Sequence, residues 1–212
     1  MIIPINRDYY AEKDLIYTQN EVNLQPGLTV LVGCNGSGKT TLLHQIETYC
    51  RKIDIPCVMW SNYKEGSSHL RSKLVYFEDY ERLSRNMFSS EGEEIHNNLE
   101  IVASKIGKNL RNATDKAVVL LDAIDSGLSV DNIVEFKKDL VGIILEDCAK
   151  RNIEVYIIVS ANEYEMARGE QCIYTPELKY VNVSTYNKYR KLIIKSRKRK
   201  NKRYKWGVWD YE

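Results

Sequence analysis

What this 212-residue sequence lacks narrows the reading before any motif is considered. No apolar run reaches the ~18 residues that a membrane-crossing helix needs. The opening residues, Met1-Ile2-Ile3-Pro4-Ile5-Asn6-Arg7, do not have the basic-then-apolar form of a signal peptide. The five cysteines, Cys34, Cys50, Cys57, Cys148 and Cys172, form no C-x-x-C pair, and His44, His69 and His96 stand far apart. A disulfide framework and a zinc site are therefore not expected, and a reducing cytoplasm is the expected setting. No internal repeat is visible. No glutamine occurs between Gln45 and Gln171.

What is there suits a globular chain. Hydrophobic residues make up 43% and charged residues 28%, enough of each for a buried core and a solvated surface in one domain. The formal net charge of +2 hides an asymmetry. Residues 186–212 hold 11 Lys and Arg against 2 Asp and Glu, so the tail carries +9 and the remainder −7. The chain is expected to divide into a body, residues 1–185, and a basic helical tail, residues 186–212.

The strongest local pattern follows an apolar, β-branched run over residues 28–32. It reads Gly33-Cys34-Asn35-Gly36-Ser37-Gly38-Lys39-Thr40 and leads into Thr41-Leu42-Leu43, a good helix opening. Strand, glycine-rich turn and helix start form a phosphate-binding P-loop. Glycines let successive backbone N–H groups turn inward, and the helix start adds a positive dipole end. Asn35, Gly36, Ser37, Gly38, Lys39, Thr40 and Thr41 are the candidate nucleotide-binding set. Lys39 is expected to reach the β- and γ-phosphates and Thr40 to ligate Mg²⁺.

Farther along, Lys116-Ala117-Val118-Val119-Leu120-Leu121-Asp122 is an apolar strand closed by an aspartate. This is the Walker B form, in which Asp122 is a second metal ligand. Asp125-Ser126-Gly127-Leu128-Ser129 is a turn, with Ser129 placed to cap a helix that buries Ile133, Phe136, Leu140, Ile144 and Cys148. Residues 57–60 and 154–160 read as buried strands. Cys172-Ile173-Tyr174 and Tyr180-Val181-Asn182-Val183 form a hairpin around Thr175-Pro176, and a basic helix begins at Tyr186. Upstream, Ser90-x-x-Glu93 is a capping-box pattern before an apolar stripe at Ile95, Leu99, Val102, Ile106 and Leu110. Tyr9 or Tyr10 is a candidate to stack on a base, against the plain reading that 15 tyrosines make one at any place commonplace.

Taken in order, the G-x-N-G-S-G-K-T loop, the Ser-x-Gly-Glu helix start and Leu-Leu-Asp followed by Ser-Gly-Leu-Ser resemble the ABC class of ATPases. The likeness is to the soluble heads of chromosome-maintenance and recombination-repair proteins and to short phage or mobile-element relatives. It implies an α/β fold, a mostly parallel sheet flanked by helices with an antiparallel N-terminal part, binding ATP and Mg²⁺. It also implies that Ser90 and Gly92 would face the nucleotide of a second copy in an ATP-dependent homodimer. Departures matter as much. Ala123 stands where the resemblance places a general-base glutamate, and Ala161 where it places a histidine. Asn62 is the nearest stand-in for a magnesium-sensing glutamine. Asp125 is the remaining candidate to orient water. The expected function is an ATP-holding switch or slow ATPase acting on DNA. A silent pseudo-ATPase and a transporter's nucleotide-binding subunit stay open as alternatives. The cationic run over residues 197–203, with Tyr204, Trp206 and Trp209 beside it, is the candidate nucleic-acid contact, against a solvated helix end or a helix docked on the acidic body.

Overall fold

The computed structural model describes residues 1–8, 15–61, 102–126 and 128–203. Tyr9, Tyr10, Asn62, Ser90, Gly92, Glu93, Gly127 and the aromatic residues of 204–212 lie outside the described residues. The elements, in chain order, begin with β1 (Ile2–Pro4), β2 (Glu21–Asn23), β3 (Gly27–Val32), α1 (Lys39–Lys52) and β4 (Cys57–Ser61). Residues 102–110 are helical, here α2. Then come β5 (Lys116–Asp122) and α3, a continuous helix of Val130–Glu135, a π-helical turn Phe136–Val141, and Gly142–Lys150. The chain continues through β6 (Glu154–Ser160), α4 (Tyr164–Ala167), β7 (Gln171–Tyr174), β8 (Lys179–Val181) and α5 (Tyr186–Arg203).

Six strands form one sheet in the order β4-β5-β6-β3-β7-β8, and β1 and β2 form a separate antiparallel pair. All neighbours in the large sheet are parallel except β7 and β8. Parallel strands covered on both faces read as continuous apolar runs, and β5 and β6 each bury six of their seven residues. Alternation still sorts their side chains. Val119 and Leu121 join Val155, Ile157 and Val159 in one core layer, packed by α2, α3, α4 and α5. Val118 and Leu120 join Tyr156 and Ile158 in the other, packed by α1 and the N-terminal residues Ile3, Ile5, Ile16, Tyr17, Val22 and Leu24. The fold is therefore the P-loop α/β arrangement expected, with a mostly parallel sheet between helices and an antiparallel N-terminal pair.

Two elements differ from expectation in form. The long helix is not uniformly α-helical. Phe136 and Val141, five residues apart, are both buried, and the wider turn of a π-helix carries both toward the sheet where an α-helix would swing one away. The boundary at residue 185 marks the start of α5 but not a break in packing. Tyr189 is buried, and Ser196 is only 1% exposed. The Lys195 ammonium pairs with Glu177, so the described part of the basic segment is docked along the body.

Candidate nucleotide site

The site lies at the C-terminal ends of β3, β5 and β6, where Asn35, Gly36, Gly38, Lys39, Thr40 and Asp122 line one cavity of about 220 Å³. Cys34, Thr41, Ala123, Ser160 and Asn162 complete its walls. Ser37 is buried beside it. β3 feeds the loop, and Gly38 turns it with φ +97° into α1. A side chain at Gly38 would strike Ile16 and Tyr17, and the Tyr17 hydroxyl donates to the Gly38 carbonyl at 2.7 Å. No side chain caps α1 and no acidic residue stands in its first turn. An uncapped start of a 14-residue helix presents its N–H groups and positive end to an anion.

Lys39 Nζ folds back and donates to the Gly33 carbonyl at 2.7 Å. Burial pushes its ammonium below the usual lysine range, against the opposing pull of Cys34, Asp125 and Asp122. A phosphate would relieve that cost by supplying the missing negative charge.

Asp122 is the most heavily engaged group of the cradle. The Thr40 hydroxyl lies 3.0 and 3.1 Å from its two oxygens. Ser160 Oγ donates to it at 2.6 Å and Ser61 Oγ reaches it at 3.4 Å. Ser160 Oγ in turn accepts the Ala123 N–H at 2.9 Å. Both serines were missed as site residues from sequence. Each closes a strand that flanks β5, and the parallel register sets Ser61 and Ser160 directly beside Asp122. A hydroxyl at the last position of an apolar run is the available signal, and it becomes readable only once the strand order is known. The donor set of Thr40 and Asp122 is all hard oxygen, which suits Mg²⁺ held jointly with phosphates.

Asp125, the sequence's candidate to orient water, is held by the loop after β6. It is 1% exposed and does not line the cradle. Its Oδ2 accepts the backbone N–H groups of Asn162 and Glu163 at 2.7 and 2.8 Å. Ala123 adopts φ +52°, and after that left-handed turn Asp125 clamps the loop that follows β6. Burial raises its pKa above the ordinary carboxylate range while the two N–H groups pull it back. Ala123 lines the cradle as expected, whereas Ala161 is fully buried in the core behind it.

α5 reaches the same loops. Ser196 Oγ accepts the Cys34 N–H at 2.8 Å. Lys200 Nζ donates to the Asn35 carbonyl at 3.1 Å, and its chain lies so close over Gly36 that a Cβ there would meet it at 3.0 Å. The Tyr189 hydroxyl donates to the Asn162 carbonyl at 2.6 Å.

A P-loop feeding an uncapped helix, with an aspartate one strand removed beside the loop's threonine, defines a P-loop NTPase domain. The sequence comparison gives the family. Residues 29–170 match the model of the ATPase family associated with various cellular activities, AAA, and the chain belongs to that family. The ABC-like part of the motif resemblance rests on Ser90 and Gly92, outside the described residues. No curated protein matches. Among solved structures, a DNA replication initiation factor aligns at 14% identity with a TM-score of 0.33, over 84% of this chain and 45% of that one. The chain thus spans less than half the length of that structure. No described helix is long and apolar enough to cross a membrane.

Proposed function

We propose that this AAA-family chain binds ATP with Mg²⁺ in the cradle and holds it, hydrolysing slowly, as a switch rather than a fast motor. One contrast carries the reading. Three hydroxyls converge on Asp122, while the next residue along the cradle wall is Ala123. Lys39 would give up the Gly33 carbonyl for the β- and γ-phosphates, and the N–H groups at the start of α1 would complete the grip. Thr40 and Asp122 would hold the ion, which neutralises charge developing between the phosphates when bound. Among the described residues that line the cavity, Asp122 is the one carboxylate, and it is committed to the metal corner. With no general base among those described residues, a contribution of ~10²–10⁴ in rate is not supplied by them.

ATP-dependent self-association belongs to the same reading, with Ser90 and Gly92 facing a second copy's nucleotide. The setting in DNA maintenance is supported by the basic α5. The test is a nucleotide titration with Mg²⁺, followed by turnover and sedimentation at saturating ATP. Expected are tight binding, slow turnover that rises in Ala123→Glu, and a dimer with ATP only. Fast turnover in the native chain overturns the switch, and absence of nucleotide binding overturns the site.

A further inference from the structure

α5 has three chemically different sides. Its sequence holds ten basic residues and no acidic one. One side packs on the body through Tyr189 and Ser196. The outward side carries Lys188, Lys191, Lys198 and Lys202, all exposed and spaced three, seven and four residues apart, which keeps them in a single stripe. The third side faces the nucleotide cradle. There Tyr186, Arg190 and Arg197 wall a cavity of about 240 Å³ whose opposite wall includes Asn35 and Asn162. Asn35 and Asn162 also line the nucleotide cavity, so the two cavities adjoin.

We infer that this second cavity is a binding site for the phosphodiester backbone of a single-stranded nucleic acid, laid along the flank of α5 beside the nucleotide. Arg190 and Arg197 are exposed, and among the described residues neither guanidinium has a hydrogen-bond or ion-pair partner. Lys195 and Lys200, on the same helix, are both engaged, with Glu177 and the Asn35 carbonyl. Two unpaired guanidiniums in one concavity form an anion site whose planar donor forks match phosphate oxygens. They stand two turns apart, about 10 Å along the helix, within reach of two phosphates of one chain. The exposed ring of Tyr186, 59% accessible, is steadied edge-on by Tyr164 at 5.7 Å and offers a base a stacking face. The lysine stripe around the corner adds long-range attraction for a polyanion. Cations, an aromatic platform and no carboxylate on the helix are what a sequence-tolerant single-strand site requires.

Binding of a labelled oligothymidylate of about 15 nucleotides to the full chain, without nucleotide and over a range of salt, tests this. The double variant Arg190→Ala/Arg197→Ala should lose at least about tenfold in affinity, and its log-affinity against log-salt slope should flatten by roughly 1.4, for two lost phosphate contacts. Lys188→Ala/Lys191→Ala removes the same charge from the outward side and should lose clearly less. Equal losses in the two variants would reduce the effect to net charge and overturn the site. So would a poly-glutamate peptide of matched charge that competes as well as the oligonucleotide. ATP affinity measured without oligonucleotide should be unchanged in the arginine variant. A fall there with oligonucleotide binding intact would assign the guanidiniums to the chain's own nucleotide and overturn the proposal. Because the oligonucleotide arm contains no ATP, it stands or falls separately from the switch reading.

Discussion

Asp122 and Ala123 are neighbours in sequence on opposite sides of a functional divide. Around Asp122 the chain has gathered a threonine from the P-loop helix and serines from both flanking strands. Around Ala123 it offers a methyl group, a left-handed turn and, two residues on, a carboxylate tied to backbone N–H groups. The Asp122 corner is preorganised by charge-assisted hydrogen bonds, and the described residues of the wall beside it offer no second carboxylate. A cradle so divided is what the proposed switch, holding phosphate more than cleaving it, would require.

The largest way to break that contrast is Lys39→Ala. It removes the one ammonium among the described residues that line the cavity and should weaken nucleotide binding by about 100-fold, ~3 kcal/mol for charged hydrogen bonds lost, as read by titration calorimetry. Asp125→Ala comes next, but its effect should fall on stability. Two backbone N–H groups lose their acceptor, at roughly 1 kcal/mol each for part-buried hydrogen bonds, and the loss is read as a lower melting temperature and denaturation midpoint. Ser160→Ala should cost about 1.5–3 kcal/mol, because it orphans the Ala123 N–H as well as weakening the hold on Asp122, and it should also reduce the Mg²⁺ dependence of binding.

Asp125→Asn sharpens the comparison by doing little. Both N–H groups use the same oxygen, so an amide carbonyl can keep them, and stability should stay within about 1 kcal/mol with turnover unchanged. Loss of turnover in that variant would return Asp125 to a chemical role. The pH dependence has a definite sign. The native carboxyl holds its proton to higher pH than the unfolded one, whose pKa is near 3.8. This group therefore favours the folded chain at low pH, and that contribution is lost as pH rises from 3.8 toward the raised native value. Relative to the wild type, Asp125→Asn should gain stability across that window and hold a constant difference above it. Smallest is Ser129→Ala. The Ser129 hydroxyl caps Val130–Glu135 through a long bond of 3.4 Å from Asn132 N, so the cost should be about 0.5 kcal/mol, the low end for an N-cap.

The strands that place the site were legible because parallel strands buried on both faces leave uninterrupted apolar runs, as in β3, β5 and β6. Lys39, Thr40 and Asp122 were legible because a P-loop and a strand-closing aspartate are local patterns. Ser61 and Ser160 were not, since their role depends on which strands lie beside β5. Tyr17, Ser196 and Lys200 meet the P-loop across 21, 162 and 165 residues of chain, and no local spacing records such a meeting. The hydrogen bonds of Asp125 were hidden for a related reason: sequence gives its distance from Asp122 along the chain, while the positive φ of Ala123 decides which way the chain turns. The π-helical turn in α3 left a trace only in the four-residue step from Phe136 to Leu140 to Ile144 to Cys148, which drifts on an α-helix and suits a wider one.

The hydrogen bond between Cys34 and Ser196 has a consequence for how the molecule comes into being. A ribosome that has just made the P-loop must add another 162 residues before the hydroxyl that holds the Cys34 N–H exists. The first functional motif of the chain is thus among the last parts to take its final shape. During translation the nascent loop has its glycines, its lysine and its helix, but not the strap across its rim. A finished cradle certifies that the basic helix has been synthesised and docked.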